Sequence, residues 1–314
     1  MRSANLYYTA AFLEHKTGKH VECGERLTRC VDYLAGLNGA ALNALQPRRA
    51  ELAEVLRVHE AGMVGYLREM AGRGGGMADP DTVVSRGSFD AALWAAGAAI
   101  DAARAVAGGR AEAAVALVRP PGHHAMRTRP MGFCLFNNIA IAAKTLLEED
   151  GLQRIAILDF DVHHGNGTQD VFYADPRVLL VSFHRYPFYP GTGRREETGT
   201  GAGEGFTVNV PLPYDTQPAA YLGLWREVLE ERVGPFAPEV ILVSAGFDAY
   251  KYDPLGGLNL EVGDFRTIGR EIFAVAERTA SGRVASVLEG GYDLDGLPRC
   301  LGAYMEGLEI LPPR

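Results

Sequence analysis

Six apolar runs, each too hydrophobic to alternate, constrain this chain more than any other feature. They are AAVALVR (113–119), RIAILDF (154–160), RVLLVSFH (177–184), FTVNVPL (206–212), EVILVSAG (239–246) and RVASVLEGG (283–291). A strand with one face in water shows a period of two. A strand covered on both faces does not, and such runs are the mark of a parallel sheet beneath helices. Helix-period segments lie among them: SFDAALWAAGAAIDAARAVAGG, NNIAIAAKTLLEEDG, QPAAYLGLWREVLEERVG and DFRTIGREIFAVAERTASG. The first is expected to begin on a Ser88 cap and to stop at a glycine pair. Strand alternating with helix predicts an α/β fold with a mostly parallel central sheet. No Pro- or Ser-rich linker and no internal repeat divides the 314 residues, so one domain over 1–314 is expected.

Composition narrows the partners. A formal charge of −8 argues against general affinity for nucleic acid, which needs basic surface to meet phosphates. The four cysteines (Cys23, Cys30, Cys134, Cys300) form no CxxC pair, so neither a disulfide framework nor a zinc knuckle is indicated. Free thiols suit a reducing compartment. No apolar run reaches membrane-spanning length and the first residues lack a signal-peptide core, so the expected location is cytoplasmic.

In parallel sheets, ligands bind beyond the carboxyl ends of the strands. The segments just past the runs are therefore diagnostic: PPGHHA, DVHHGNG, HRYPFYPGTG, FDAYKYDPLGG and YDLDG. Histidines, aspartates and a tyrosine gather at one sheet edge. In DFDVHH, Asp159, Asp161 and His163 share parity, so an extended segment would point all three to one side. One aspartate at a strand end is usually a cap or turn former; three metal-capable groups together are not explained that way. Carboxylate oxygen with imidazole nitrogen suits zinc or another borderline divalent ion, and Asp248 is the best candidate for a third ligand. His123 and His124 come after a Pro-Pro-Gly turn and offer a base or acid with an electrostatic partner. Asp159 and Asn166 are candidate orienters, and because one is charged and the other neutral, the two imidazoles should titrate differently. Tyr292, after two glycines, could donate to a developing oxyanion. Cys134 reads as a packed thiol, GTGAGEG (199–205) as a flexible rim, and AGRGGGMADPD (71–81) as a surface loop.

Taken in order, RPPGHHA, GFCLFNNIAIAA, LDFDVHHGNGTQ, PGTG, SAGFDAYKYDPLGG and EGGYDL resemble the zinc-dependent histone deacetylase family. The likeness is to its class II and bacterial amidohydrolase-like branch, which is related to acetylpolyamine amidohydrolases. It runs from HKTGKHVECGERL to the last helix. The resemblance implies the arginase/deacetylase fold and zinc (or ferrous iron) held by Asp161, His163 and Asp248. It implies His124 as general base and acid with His123 as its electrostatic partner, Asp159 orienting His123, and Asn166 orienting His124. Class I members carry aspartate where this chain has Asn166; some members carry histidine where it keeps Tyr292. The resemblance further implies a tunnel walled by Phe133 and by Tyr189 or Phe188, with the Gly132 carbonyl toward the substrate amide. It gives Arg26 a place in an inner acetate channel, and a structural potassium ion near Asp159, Asp161, His163, Ser182 and Phe183. Leu255 stands near where polyamine-selective relatives carry a glutamate, which favours acetyl-lysine in peptides or proteins over acetylated polyamines.

Two readings from other classes compete. An arginase-like ureohydrolase would need a second set of bridging carboxylates. An acetyl-lysine binding module would need neither His123 nor Tyr292.

Overall fold

The computed structural model describes residues 2–37 and 42–312. In chain order its strands are β1 (Ala4–Tyr7), β2 (Leu42–Leu45), β3 (Gly75–Met77), β4 (Val83–Ser85) and β5 (Ala113–Ala116). Next come β6 (Ile155–Asp159), β7 (Val178–Arg185), β8 (Thr207–Leu212), β9 (Val240–Ala245) and β10 (Val284–Leu288). Eight of them form one sheet in the order β2-β1-β5-β10-β9-β6-β7-β8, every neighbouring pair parallel. β3 and β4 make a separate antiparallel hairpin. The six apolar runs are the six strands from β5 onward, and the middle strands of the sheet are buried along their whole length.

β1 and β2 have no counterpart in the hydrophobic pattern. Each is only four residues long, and β2 is a half-exposed edge strand carrying Asn43. Asn5 in β1 is buried and pairs sideways, accepting from the Asn43 side-chain amide at 3.2 Å. Strands this short and polar carry too little periodicity to read.

Helix Ser88–Ala107 lies against β1, β5 and β10, and its alanine-rich face permits a close approach. Its first turn differs from expectation. Gly87 takes the cap position, while the Ser88 hydroxyl accepts from the Ser85 N–H at 2.6 Å and meets His15 Nδ1 at 2.7 Å. Helices Asn138–Glu148 and Val262–Thr279 match the predicted segments. The third segment begins with proline at the first turn of helix Pro218–Val228 and then widens into a π-turn over Leu229–Val233.

The sheet's topology fixes the site. After β5 the chain skips to β6, three places along, then steps outward to β7 and β8 before returning to β9 and β10 between them. The ends of β5, β10, β9 and β6 therefore lie side by side, with Leu288 opposite Ala245 and Asp159 opposite Ser244. Such a reversal opens a crevice at the carboxyl edge.

Packing at Gly97 tests the close approach of helix and segment 48–50. A Cβ there would fall 2.0 Å from the Arg48 carbonyl oxygen and 2.8 Å from the Ala50 nitrogen. Gly97→Ala is expected to destabilise by about 1–3 kcal/mol. Gly223→Ala, on an exposed helix face with open space around it, should instead stabilise by about 0.5–1 kcal/mol. Denaturant midpoints of the two variants check this; equal shifts would contradict the packing.

Candidate active site

The stretch after β6 does not stay extended. The strand ends at Asp159 and residues 161–163 bend, held by main-chain N–H groups that donate to carboxylates. Asp161 N–H donates to Asp159 Oδ1 at 3.1 Å, Val162 N–H to Asp248 Oδ1 at 2.8 Å, and His163 N–H to Asp161 Oδ1 at 2.9 Å. Gly290 N–H, just past β10, donates to Asp161 Oδ2 at 2.7 Å. The shared-side expectation is thereby corrected: Asp161 and His163 converge, but Asp159 turns away to His123.

Asp248, beyond β9, completes the first pair. The ligand atoms of Asp161, His163 and Asp248 all lie within 4.8 Å of one another, and all three residues are buried. His163 Nδ1 stands 3.0 Å from Asp161 Oδ1 and 3.1 Å from Asp248 Oδ2. A Cβ on Gly246 would lie 2.2 Å from Asp161 Oδ2, and one on Gly290 would lie 2.2 Å from Asp248 Oδ2, so both positions must be bare to admit the carboxylates. One imidazole and two carboxylates in a dry cradle fit a borderline divalent cation. No other group of three such residues lies together among the described residues.

His123 and His124 occupy the turn after β5, their rings 4.0 Å apart and tilted by 43°. His123 Nδ1 meets Asp159 Oδ2 at 2.9 Å; His124 Nδ1 meets Asn166 Oδ1 at 2.7 Å. The two shift in opposite directions. Burial pushes the His123 imidazole down, but the charges of Asp159 and Asp161 outweigh it and hold its pKa up at about 10. Burial also drives His124 well below the ordinary histidine value, and the positive charges on His123 and His163 add to the fall. At neutral pH His123 is a cation locked to Asp159, while His124 donates from Nδ1 and leaves Nε2 unprotonated.

A cavity of about 220 Å³ opens over these groups. His163, His124 and Tyr292 reach its floor, and Gly132, Phe133, Phe188, Tyr189, Leu255 and Asp81 line it higher up. Phe188 stacks on His163 (5.2 Å, 18°), and the Arg185 guanidinium lies 3.8 Å from the Phe188 ring centre. Tyr189 stands edge-on to His124, and Phe133 edge-on to Tyr292. Both aromatic candidates of the RYPFYPG loop are thus wall residues. A Cβ on Gly132 would strike the His124 ring at 2.5 Å, so only glycine fits against the base. The Gly132 carbonyl accepts the buried Cys134 thiol at 3.2 Å.

Tyr292 is nearly buried, and its N–H donates to Asp253 Oδ2 at 2.6 Å. Burial raises its phenol well above the ordinary value despite the Arg26 guanidinium 4.8 Å from the ring, so it remains a donor. Arg26 is fully buried and donates to the carbonyls of Gly291 and Glu289 and to Glu22. Ser182 lies opposite Asp159 in register and bonds His184, and Phe183 packs on Trp225. His164 is tied to Thr192 and Gln169 on the side away from the cavity floor.

The pattern reading missed Asp81. Its segment is not a plain surface loop: it holds β3 and the turn into β4, where Asp79 accepts from the main chain of Asp81 and Thr82. Burial and the neighbouring Asp79 raise Asp81 to about 6 at the cavity mouth. The MADPD turn was the available signal.

The histone deacetylase domain family matches residues 20–308. The chain belongs to the histone deacetylase family. Within it, the chain is 45% identical over 295 residues to a "Probable deacetylase" of Archaeoglobus fulgidus, covering 93% of this chain and 82% of the relative. It is 38% identical over 292 residues to the "Histone deacetylase-like amidohydrolase" of Pseudomonas aeruginosa, covering 92% and 77%. Among solved structures, the HD domain of HDA15 superposes with a TM-score of 0.91 at 33% identity, covering 98% of this chain and 88% of that one. The mostly parallel sheet is that of the arginase/deacetylase fold.

Protons compete for the histone deacetylase cradle, which gives a pH test of the ligands. Burial disfavours a charged His163, yet its bonds to Asp161 and Asp248 hold its pKa at about 10. Below that pH a cation must displace the proton, so apparent affinity should rise about tenfold per unit between pH 7.5 and 8.5. Competition with a chromophoric chelator measures this. A flat profile would show that His163 does not bind the ion through that nitrogen.

Proposed function

We infer that this chain, a hydrolytic deacetylase by family, removes acetyl groups from lysine side chains of peptides or proteins. One observation carries the reading: His124, Tyr292 and His163 of the three-ligand cradle line one aromatic-walled cavity. An acetyl-lysine binding module has no use for a neutral base beside a cationic histidine.

Zinc is the ion proposed for Asp161, His163 and Asp248, with ferrous iron the alternative the same donors accept. When bound, it supplies a Lewis acid that polarises the amide carbonyl and favours ionisation of water. The chain's residues do the rest. His124 Nε2 takes the proton from the attacking water and returns it to the departing amine, while Asn166 holds the ring by Nδ1. His123 stays protonated against Asp159 and adds positive charge beneath the oxyanion. Tyr292 donates to that oxyanion. Phe133 and Phe188 grip the lysine methylenes, Tyr189 closes the side wall, and the second lone pair of the Gly132 carbonyl meets the substrate N–H. The same proposal takes residues 1–314 as one catalytic domain and includes a structural potassium ion near Asp159, Asp161, His163, Ser182 and Phe183. A cytoplasmic setting suits the four unpaired cysteines.

Acetylated polyamines are the second reading, and Asp81 at the mouth favours it, since a carboxylate there can meet a distal ammonium. It can equally accept the main-chain N–H groups of a peptide. Leu255, apolar at the same mouth, favours the peptide.

The test compares kcat/KM for acetyl-lysine peptides, longer acyl-lysines and acetylspermidine on one metal-defined preparation. The peptide should win; a tenfold advantage for acetylspermidine, about 1.4 kcal/mol of transition-state discrimination, reverses the assignment. In the same assay Tyr292→Phe should lower kcat by about 10²–10³-fold. Turnover near that of the unmodified enzyme would remove Tyr292 from the reaction.

A further inference from the structure

Glu289 touches neither the cavity nor the metal cradle, yet it is a fully buried carboxylate one residue past β10. No lysine or arginine side chain bonds that carboxylate among the described residues. Neutral donors satisfy it instead. Oε2 accepts two successive main-chain N–H groups, Gly122 at 2.7 Å and His123 at 3.1 Å, and Oε1 accepts the Ser244 hydroxyl at 3.2 Å. The main chain of Glu289 is equally fixed: its N–H donates to Ala245 at 3.0 Å and its carbonyl accepts Arg26. A side chain anchored this firmly, reaching from the end of β10 to the turn after β5, spans the two neighbouring strand ends that carry Tyr292 and the histidine pair.

We propose that Glu289 is a positioning residue whose carboxylate, braced on Ser244 through one oxygen, fixes the Gly122–His123 main chain with the other, and through it His124, relative to Tyr292. The base and the phenol must act from different sides on one carbon. Their separation is set by how the turn after β5 sits against the segment after β10. Hydrogen bonds of His123 to Asp159 and of His124 to Asn166 orient the rings, and the His123 carbonyl accepts the Gly167 and Thr168 N–H groups, but the N–H side of the turn at Gly122 and His123 needs its own hold. Glu289 supplies that hold. Loss of an ångström in such alignment costs about 10²-fold in rate.

The role lies in the shape and acceptor count of the side chain, which separates it from a buried pin. Glutamine can reproduce the whole pattern: its oxygen accepts from Gly122 and His123, and its amide donates to Ser244, whose hydroxyl can accept. Aspartate, one methylene shorter, cannot reach the turn. Alanine leaves both N–H groups without a partner.

The inference rests on the deacetylase reading, which wild-type acetate release on the acetyl-lysine peptide tests by itself in the same experiment. With metal-loaded enzyme, Glu289→Asp and Glu289→Ala should each lower kcat by about 10²-fold. KM should stay within about threefold, with one metal ion per chain retained. Glu289→Gln should keep kcat within about fivefold of wild type. Adding Ser244→Ala to Glu289→Gln should reduce kcat further, because the amide then loses its acceptor. Should Glu289→Ala fail to fold, Glu289→Asp carries the test. Three results would overturn the proposal: kcat preserved in Glu289→Asp, Glu289→Gln as slow as Glu289→Asp, or metal content falling in step with kcat. The last would place the effect on the cradle through Gly290.

Discussion

Four carboxylates buried together are what the rest of this molecule is arranged around. Asp159, Asp161, Asp248 and Glu289 are all buried to within 1% of completely, at the ends of adjacent strands. Burying a carboxylate costs several kcal/mol unless hydrogen bonds or opposite charge offset it. Main-chain N–H groups that run out of sheet partners at those strand ends supply much of that offset. Asp161, Val162, His163 and Gly290 each donate one to a carboxylate of the site, and Gly122 and His123 do so to Glu289. The parallel sheet therefore supplies the donors as well as the crevice. Antiparallel strands would alternate their ends and could not bring four carboxyl edges together.

The same constraint divides the two histidines. His123 sits where Asp159 and Asp161 face it, and its positive charge is the natural complement to a nest of carboxylates. His124, one residue on, faces a neutral amide and two neighbouring imidazoles. Burial is the main reason His124 resists a proton, and the charge on His123 adds to it. Catalytic asymmetry here is a consequence of balancing buried charge, with no separate device needed.

Much of this was legible in the sequence because the informative residues sit just past strands that announce themselves. Unbroken apolar runs located six strands, and the polar residues after five of them gave the cradle, the histidine pair and the tyrosine. What escaped did so for definite reasons. β1 and β2 are too short to show a period, and Asp81 stands in a Gly-rich hairpin that composition alone reads as loop. Parity failed at Asp159 because the strand stops there: hydrogen bonds to the carboxylates bend the chain, and alternation ends with the sheet. Ser88 has the pattern of a cap, yet its hydroxyl serves Ser85 and His15, a tertiary contact that local pattern does not encode. Glu289 opens the EGGYDL motif, but nothing local marks its role, since its partners lie 166 and 167 residues away in sequence.

Asn166 is matched closely by its surroundings. Its oxygen serves His124, and its amide nitrogen points at two thioethers, Met126 Sδ at 3.0 Å and Met131 Sδ at 3.4 Å. Sulfur is a weak acceptor and donates nothing in methionine. An aspartate here would keep the bond to His124 but turn its second oxygen toward those two sulfurs with no donor to meet it. Its charge would also favour a proton on His124, against the neutral state that burial, and after it His123, favours. The amide avoids both penalties: it donates where only acceptors stand and leaves the base uncharged. Met126 and Met131, unremarkable in the linear pattern, are therefore part of what makes asparagine the residue that fits behind His124.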